Sequence, residues 1–521
     1  MNDKINVIIG DKKRHILECN FKKIFSNACM FGILKKKITC MELWYHCMNQ
    51  IILMEGSHFL ERTSTNPRFK YSVYNILAFF HVIKPSFKSW FHILHKRDVT
   101  PPIKVLFISR DRFIKIRKPT GEITSDYLFN SIIEDLSEKH PNINIGLICT
   151  APPPKNINIA AYNLYAYIQP FDFVKSFIFA LKISVLWAKC QKQLLEKHNF
   201  KHNSQNLLYL RTNRFFSFRM LFIRSLVDHT YYRMFNLFTP DIIISNDDSM
   251  QIKPKLRKKF YFITLQSAQM SPINELYTKL FLSEFGDDSC KSDYFLCSGK
   301  YFEQLKKFSN ISKNVMVIGQ PRYDILCQLE TRYSKKRIIE DLGLDPHKKI
   351  VLWTTQTHGL SYIENIKNIE AVYNAMSSLK GEAQLIIKLH PSEDQDAVLY
   401  SKKRYNPLIL SKNVDTYRLI FCCDVLITKY STTALEAIML GKPVIVLNLS
   451  GEPDRENYVR ENVALGVYTP ETLINTIKKI FKDDDTVAQL KKCHKEYIEK
   501  YLYKNDGKST ERMLKLIESL L

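Results

Sequence analysis

Three adjacent hydroxyls, Ser431-Thr432-Thr433, stand where the apolar run "DVLIT" hands over to the amphipathic segment "TALEAIML". One small hydroxyl is enough to cap a helix N-terminus, and capping is the plainer reading. Three offer more than a cap uses. Together with the free amides and positive end of a helix, they suit a phosphate. Glu436 follows about one turn later, where a carboxylate can take the two hydroxyls of a ribose; otherwise it is an exposed first-turn acid. His390-Pro391 close a second apolar run, "QLIIKLHP". Proline cannot continue a strand ladder, so the strand stops there and leaves an imidazole at its end as a donor to phosphate or sugar oxygen.

A transfer to a hydroxyl also requires a group that takes the acceptor's proton, usually a carboxylate or histidine. Asp247-Asp248, in "ISNDDSMQ" after the run "PDIIIS", are the preferred candidates. Asp287-Asp288 in "EFGDDSCK" and His358 in "TTQTHG" are further ones, His358 also as a lining residue of the donor pocket. Acidic pairs in loops are most often only solvated.

These residues fall at the ends of apolar runs because the runs read as buried parallel strands alternating with helices. "IKVLFISR" from Ile103 opens the pattern after Thr100-Pro101-Pro102, and "INIGLICT", "PDIIIS", "KFYFITLQ", "DYFLCSG" and "NVMVIGQP" continue it. A second unit begins with a helix stopped at Gly343 and a strand at Ile350 to Thr354. Strands "QLIIKLHP" and "PLILS" follow, then the hydroxyl segment; from about Pro470 to Leu521 the chain reads as helix. In such sheets ligands bind at the carboxyl ends of the strands, which is where the polar residues lie. The expected division is a basic, aromatic, partly helical extension over 1–100, Rossmann-like domains over 101–330 and 331–500, and a C-terminal helix over 501–521.

The chain has 521 residues and a net charge of +24, so more than one domain and an anionic partner are expected. The basic residues are dispersed and no nucleic-acid signature accompanies them, so nucleic acid is not expected as a partner. Only 15 glycines are present, which argues against glycine-rich phosphate loops. The 12 cysteines show no metal-like spacing and read as free thiols of a reducing compartment. A cytoplasmic location is expected, at or near the inner face of the membrane. Two mid-chain segments, "FDFVKSFIFALKISVLWAKC" and "FFSFRMLFIRSLVDHTYYRMF", are mostly apolar. Lys175, Lys182 and Lys189 share one stripe of the first. It reads as a buried helix with a thin wet edge, the alternative being an interfacial helix with lysines at lipid headgroups.

"IKLHP", "CDVLITKYSTTALEAIMLGKPVI", "VIGQPRYD" and "NDGKSTERML" together resemble the GT-B glycosyltransferases of surface-polysaccharide synthesis. The resemblance is closest to the CDP-glycerol glycerophosphotransferase-like group, with kinship to bacterial sialyl- and polysialyltransferases. It covers roughly Lys259 to Leu521. It implies two Rossmann-like domains facing a cleft, the C-terminal one holding the donor's phosphates through His390, Ser431 and Thr432. Arg322 in "PRYD" is then a phosphate or acceptor contact at the crossover. The chain departs from the group at Lys429, where relatives carry Asp, and at Ser267 in "LQSAQ", where relatives carry a histidine that serves as base. Gln266 and Ser267 are thus placed on the acceptor side, and the base stays open.

The resulting expectation is a metal-independent, inverting glycosyl- or glycerophosphotransferase. It takes a nucleotide-activated donor as substrate, uses no cofactor, and acts on a surface-glycan or lipid-linked acceptor, with peripheral membrane contact. A UDP-N-acetylglucosamine 2-epimerase-like enzyme and a non-catalytic nucleotide-sugar or glycan binder are the alternatives.

Overall fold

The computed structural model describes residues 102–521, apart from gaps of which the longest are 198–215, 268–274, 357–361 and 391–399. Of the first hundred residues it describes His15, Glu18, Cys19 and Lys22, so the expected basic extension lies outside the described residues. Asp248, Asp287, His358 and Pro391 lie outside them as well. Two compact units are present: Met1–Arg322 together with Thr510–Leu521, and Tyr323–Ser509. The chain therefore passes from one unit to the other at Arg322, where the sequence put the boundary at 330, and returns at Thr510.

Unit 1 is built on a parallel sheet. Its strands are β1 (Val105–Ile108), β4 (Ile145–Cys149), β5 (Ala160–Asn163), β6 (Ile242–Asn246), β7 (Tyr261–Leu265), β8 (Ser292–Cys297) and β9 (Ser312–Val317). They run in the order β5-β4-β1-β6-β7-β8-β9. The central strands are short apolar runs, VLFI, IGLIC and IIISN, buried on both faces, as strands covered by helices on each side must be. An antiparallel hairpin, β2 (Phe113–Lys118) and β3 (Gly121–Asp126), is inserted after β1. Neither the hairpin nor β5 was expected, since charges interrupt the apolar residues of FIKIRK and GEITSD, and AAYN is small and polar, so none carries an apolar run.

Helices α1 (Asn130–Lys139), α2 (Pro170–Lys197), α3 (Phe218–Phe238) and α4 (Lys300–Ser309) connect these strands. The apolar face of α1 (Ile132, Ile133, Leu136) shares a core with Phe107, Leu147 and Ile244 of the strands.

The expectation that α2 is a buried helix does not hold. One face, with Ser176, Ala180, Ile183 and Trp187, is buried, and Trp187 stacks on Phe216 at 5.0 Å. The other carries Phe171, Val174, Phe177, Ile178, Leu181 and Val185, each between 46% and 62% exposed. Periodicity located the helix but could not say that α3 covers only one side of it. The start of α2 is fixed by Arg233 of α3, which makes two 2.6 Å hydrogen bonds to Asp172 and a third to the Tyr167 carbonyl. Burial pushes the Asp172 carboxyl up, but Arg233 and the Gln169 amide outweigh it and hold the group below its ordinary value.

Unit 2 is a second parallel sheet, in the order β12-β11-β10-β13-β14-β15. Its strands are β10 (Lys349–Thr354), β11 (Ala383–Lys388), β12 (Leu408–Leu410), β13 (Val425–Thr428), β14 (Val444–Leu447) and β15 (Leu465–Val467). Helices α5 (Tyr362–Ser378), α6 (Thr416–Cys422), α7 (Thr433–Met439), α8 (Pro470–Lys482) and α9 (Asp484–Tyr501) accompany them. Gly343 and Gly441 sit at φ +64°, in the left-handed region that ends helices, as "DLG" and "MLGKP" suggested. Both units are thus Rossmann-like, as the sequence pattern implied. The tail is three helices, the last being α10 (Ser509–Leu520). Met513, Leu514 and Ile517 of α10 complete the core of unit 1 beside Phe129, and Arg512 donates to the Ile318 carbonyl at 3.0 Å.

Among the described cysteines, Cys149, Cys297, Cys422 and Cys423 are buried free thiols, and burial pushes Cys149 and Cys423 up to about 12. Cys190 departs from the expectation of free thiols: it is disulfide-bonded.

Candidate active site

Each sheet has one place where the order reverses. In unit 1 the chain fills β1, β4 and β5 to one side and β6 to β9 to the other, so the crevice opens between the carboxyl ends of β1 and β6. In unit 2 the reversal lies between β10 and β13. Residues that follow these four strands form two polar clusters, one in each unit.

In unit 2, β10 runs into Thr354-Thr355-Gln356, and β13 into Lys429-Tyr430 and the three hydroxyls. The hydroxyls divide the work. Ser431 Oγ accepts from the Thr433 amide at 3.2 Å and does the capping. Thr433 Oγ1 lies 2.9 Å from Thr354 Oγ1 and ties α7 to the end of β10. Thr432 makes no capping bond and is exposed, so its hydroxyl is turned to solvent. Gln356 Oε1 accepts from the Tyr430 amide at 2.8 Å and from Thr428 Oγ1 at 3.3 Å. His390 follows β11, half-buried, with its amide donating to Thr355 Oγ1 at 3.2 Å.

Glu436 is 3% exposed, so the surface-acid reading fails. Burial pushes the neighbouring Tyr458 hydroxyl far up, with Glu456, Tyr497, Tyr323 and Glu436 adding to it, and that hydroxyl donates to the Ser431 carbonyl at 3.4 Å. The helix α7 has seven residues. That is under two full turns, so its dipole is a weaker source of positive charge than the sequence reading supposed.

In unit 1, Asn246 reaches from β6 to the Ile108 carbonyl of β1 at 3.4 Å, and Asp247 comes next. Asp247 is 7% exposed, and its Oδ1 accepts from the Ser267 amide at 2.7 Å and from Ser267 Oγ at 2.5 Å. Gln266 Oε1 takes the Ser298 amide at 2.8 Å, while Gln320 donates to the Gln266 carbonyl at 2.8 Å. Asp247, Gln266 and Ser267 therefore share one strand edge, and the carboxylate is oriented by its neighbours. Beside them, Ser109 donates to buried Asp126, which also accepts two amides ahead of α1. Burial pushes the Asp126 carboxyl up against the opposing pull of those bonds. Arg322 belongs to this unit, its guanidinium 5.0 Å from the centroid of the Tyr127 ring. Asp288, by contrast, is an 88% exposed side chain paired to Lys291 at 2.8 Å, a solvated loop acid.

Sequence reasoning missed Thr354, Thr355 and Gln356, and also Ser109, Asp126, Ser298 and Gln320. The first three had a readable signal, a polar triplet directly after the apolar run "IVLW". The others depend on which strands are neighbours, which composition does not reveal.

The family model for CDP-glycerol:poly(glycerophosphate) glycerophosphotransferase matches residues 225–519, more than half of the chain and all of unit 2 up to Ser509. The chain belongs to this family. A processive diacylglycerol beta-glucosyltransferase of Bacillus licheniformis is 24% identical over 263 residues, 49% of this chain and 63% of that protein. A teichoic acid poly(glycerol phosphate) polymerase of Bacillus spizizenii is 26% identical over 263 residues, 47% of this chain and 62% of the polymerase. A teichoic acid glycerol-phosphate primase of Bacillus subtilis is 25% identical over 226 residues, 42% and 54% of the two chains. The matches thus span between about half and two thirds of these relatives' lengths. Among solved structures, the wall teichoic acid polymerase TagF is similar over 87% of this chain and 97% of its own, at 14% identity and a TM-score of 0.47. A UDP-GlcNAc 2-epimerase from Neisseria meningitidis is similar over 80% and 100%, at 13% identity and a TM-score of 0.46.

Proposed function

We propose that the protein is a transferase that moves a glycerol phosphate-type group from a nucleotide-activated donor to a hydroxyl of a glycan or lipid-linked acceptor. The observation that carries this is the family match over residues 225–519, which includes the polar clusters after β6, β7, β10 and β13. With CDP-glycerol, the acceptor oxygen bonds to the glycerol-side phosphorus and the bond from that phosphorus to the bridging oxygen breaks. CMP leaves, and the acceptor's proton passes to a base. His390, Ser431, Thr432 and Thr433 serve the donor phosphates, Glu436 the ribose, Asp247 the proton, and Arg322, Gln266 and Ser267 the acceptor side. No requirement beyond the donor and acceptor follows from this scheme. The test is turnover across CDP-glycerol and CMP-, CDP-, UDP- and GDP-activated sugars. Release of nucleotide from at least one donor supports the assignment; neither turnover nor binding with any of them refutes it.

The work place belongs to the same proposal: an anionic membrane surface. Lys175, Lys182 and Lys189 are exposed beside the open apolar face of α2, and the exposed part of that helix carries no described acid. Among the described residues no helix is long and apolar enough to cross a membrane. An apolar side chain buried at the lipid boundary contributes about 1.5–3 kcal/mol, and a lysine at an anionic surface about 1 kcal/mol. Phosphatidylglycerol vesicles should therefore bind the protein in a flotation assay, and phosphatidylcholine vesicles much less. Phe177→Glu with Leu181→Glu should weaken that binding about a hundredfold. Equal binding by the double variant would remove α2 from the interface.

A further inference from the structure

The segment after β13 carries a cation to which the sequence motifs gave no role. Lys429 is half-buried at the carboxyl end of β13, two residues before Ser431. Its ammonium donates to Ser450 Oγ at 3.0 Å, and Ser450 donates to Asn448 Oδ1 at 2.6 Å. Asn448 donates to Asp454 at 2.8 Å, and the Tyr468 hydroxyl reaches the other Asp454 oxygen at 2.7 Å. This relay joins the ends of β13, β14 and β15 and fixes the ammonium at the sheet edge where the order reverses. Across that reversal stands Gln356. Its carbonyl oxygen is engaged by two protein donors, the Tyr430 amide and Thr428 Oγ1, so its NH₂ group is the end left to serve a ligand.

We propose that Lys429 is the cation that meets the departing nucleotide phosphate, with the Gln356 NH₂ as a second donor to the same group. The inference rests on the transferase reading above. When the phosphorus–oxygen bond breaks, its electron pair stays on the nucleotide phosphate oxygen, and negative charge grows there. A long helix offers about half an elementary charge at its N-terminus, and α7 is short. A lysine ammonium brings a full charge, and charge-assisted bonds to phosphate are roughly twice as strong as neutral ones.

The experiment compares nucleosides with nucleotides by calorimetry on the full chain: cytidine, CMP and CDP, then uridine, UMP and UDP. Lys429→Gln should lose about ten- to a hundredfold in affinity for the nucleotide while nucleoside affinity stays within about twofold. Lys429→Arg should retain most of the nucleotide affinity, because the charge and the donors remain. Ser450→Ala, which removes one hydrogen bond to the ammonium and the link to Asn448 but keeps the charge, should give a smaller loss with the same nucleotide selectivity. It carries the comparison if Lys429→Gln does not fold. Unchanged nucleotide affinity in Lys429→Gln, or equal losses for nucleoside and nucleotide, overturns the role of Lys429 and leaves the transferase reading standing. A wild-type chain that binds none of the six compounds overturns both.

Discussion

Asp247→Asn should lower transfer by about a hundred- to ten-thousandfold while the donor KM changes only a few-fold, the range expected when a positioned general base is removed. The carboxylate follows β6 at the order reversal of unit 1, and the Ser267 amide and hydroxyl fix it through one oxygen. Asparagine keeps an oxygen for those two donors, so the substitution removes basicity and spares orientation. Ser267→Ala does the reverse and should cost far less. A rate for Asp247→Asn close to wild type would make Asp247 a positioning group for Ser267 and send the search elsewhere.

Much of this architecture was legible because parallel strands buried on both faces must be apolar runs. VLFI, IIISN, KIVLWT and VLIT announced themselves, and each is followed by the polar residues that the sheet edge presents. Strands without that burden stayed hidden: β5 is AAYN, half exposed, and the β2–β3 hairpin is rich in charge. Helices were visible by period, but their partners were not. Period alone gave α2 two faces and no means of knowing that one faces solvent, nor that α10 returns to fill the core of unit 1.

The donor side was read from residue types, and the structure redistributes their tasks. "STT" looked like one surplus of hydroxyls; Ser431 caps, Thr433 ties α7 to β10, and Thr432 alone is turned outward. Glu436, expected at the surface in its plainer reading, is buried. Lys429 counted as a departure from a motif, and its meaning emerges only with Ser450 and Asn448, some twenty residues later in the chain. Tertiary neighbours of this kind leave no periodic trace.

Lys306→Met should destabilise the protein by about 3–5 kcal/mol, the cost expected when one partner of a buried ion pair is removed. The side chains of Lys306 and Glu275 are 1% and 4% exposed, with 2.9 Å between Nζ and Oε1, and the ammonium also lies 4.4 Å from the centroid of the Phe295 ring. Methionine fills much of the space that lysine leaves, so packing is not what is lost. The carboxylate of Glu275 stays behind, and its other oxygen already has no hydrogen-bond partner. A buried charge without a counter-charge costs more than the pair contributed. The decisive comparison is therefore the double variant. Glu275→Leu with Lys306→Met removes both charges and should recover most of the loss, by at least about 2 kcal/mol relative to Lys306→Met alone. Thermal unfolding reads both, since a loss of this size lowers Tm by on the order of 10 °C in a unit of this length. A double variant as unstable as the single one would mean that Lys306 acts by filling space, and that the ion pair contributes little to holding α4 against the segment that carries Glu275.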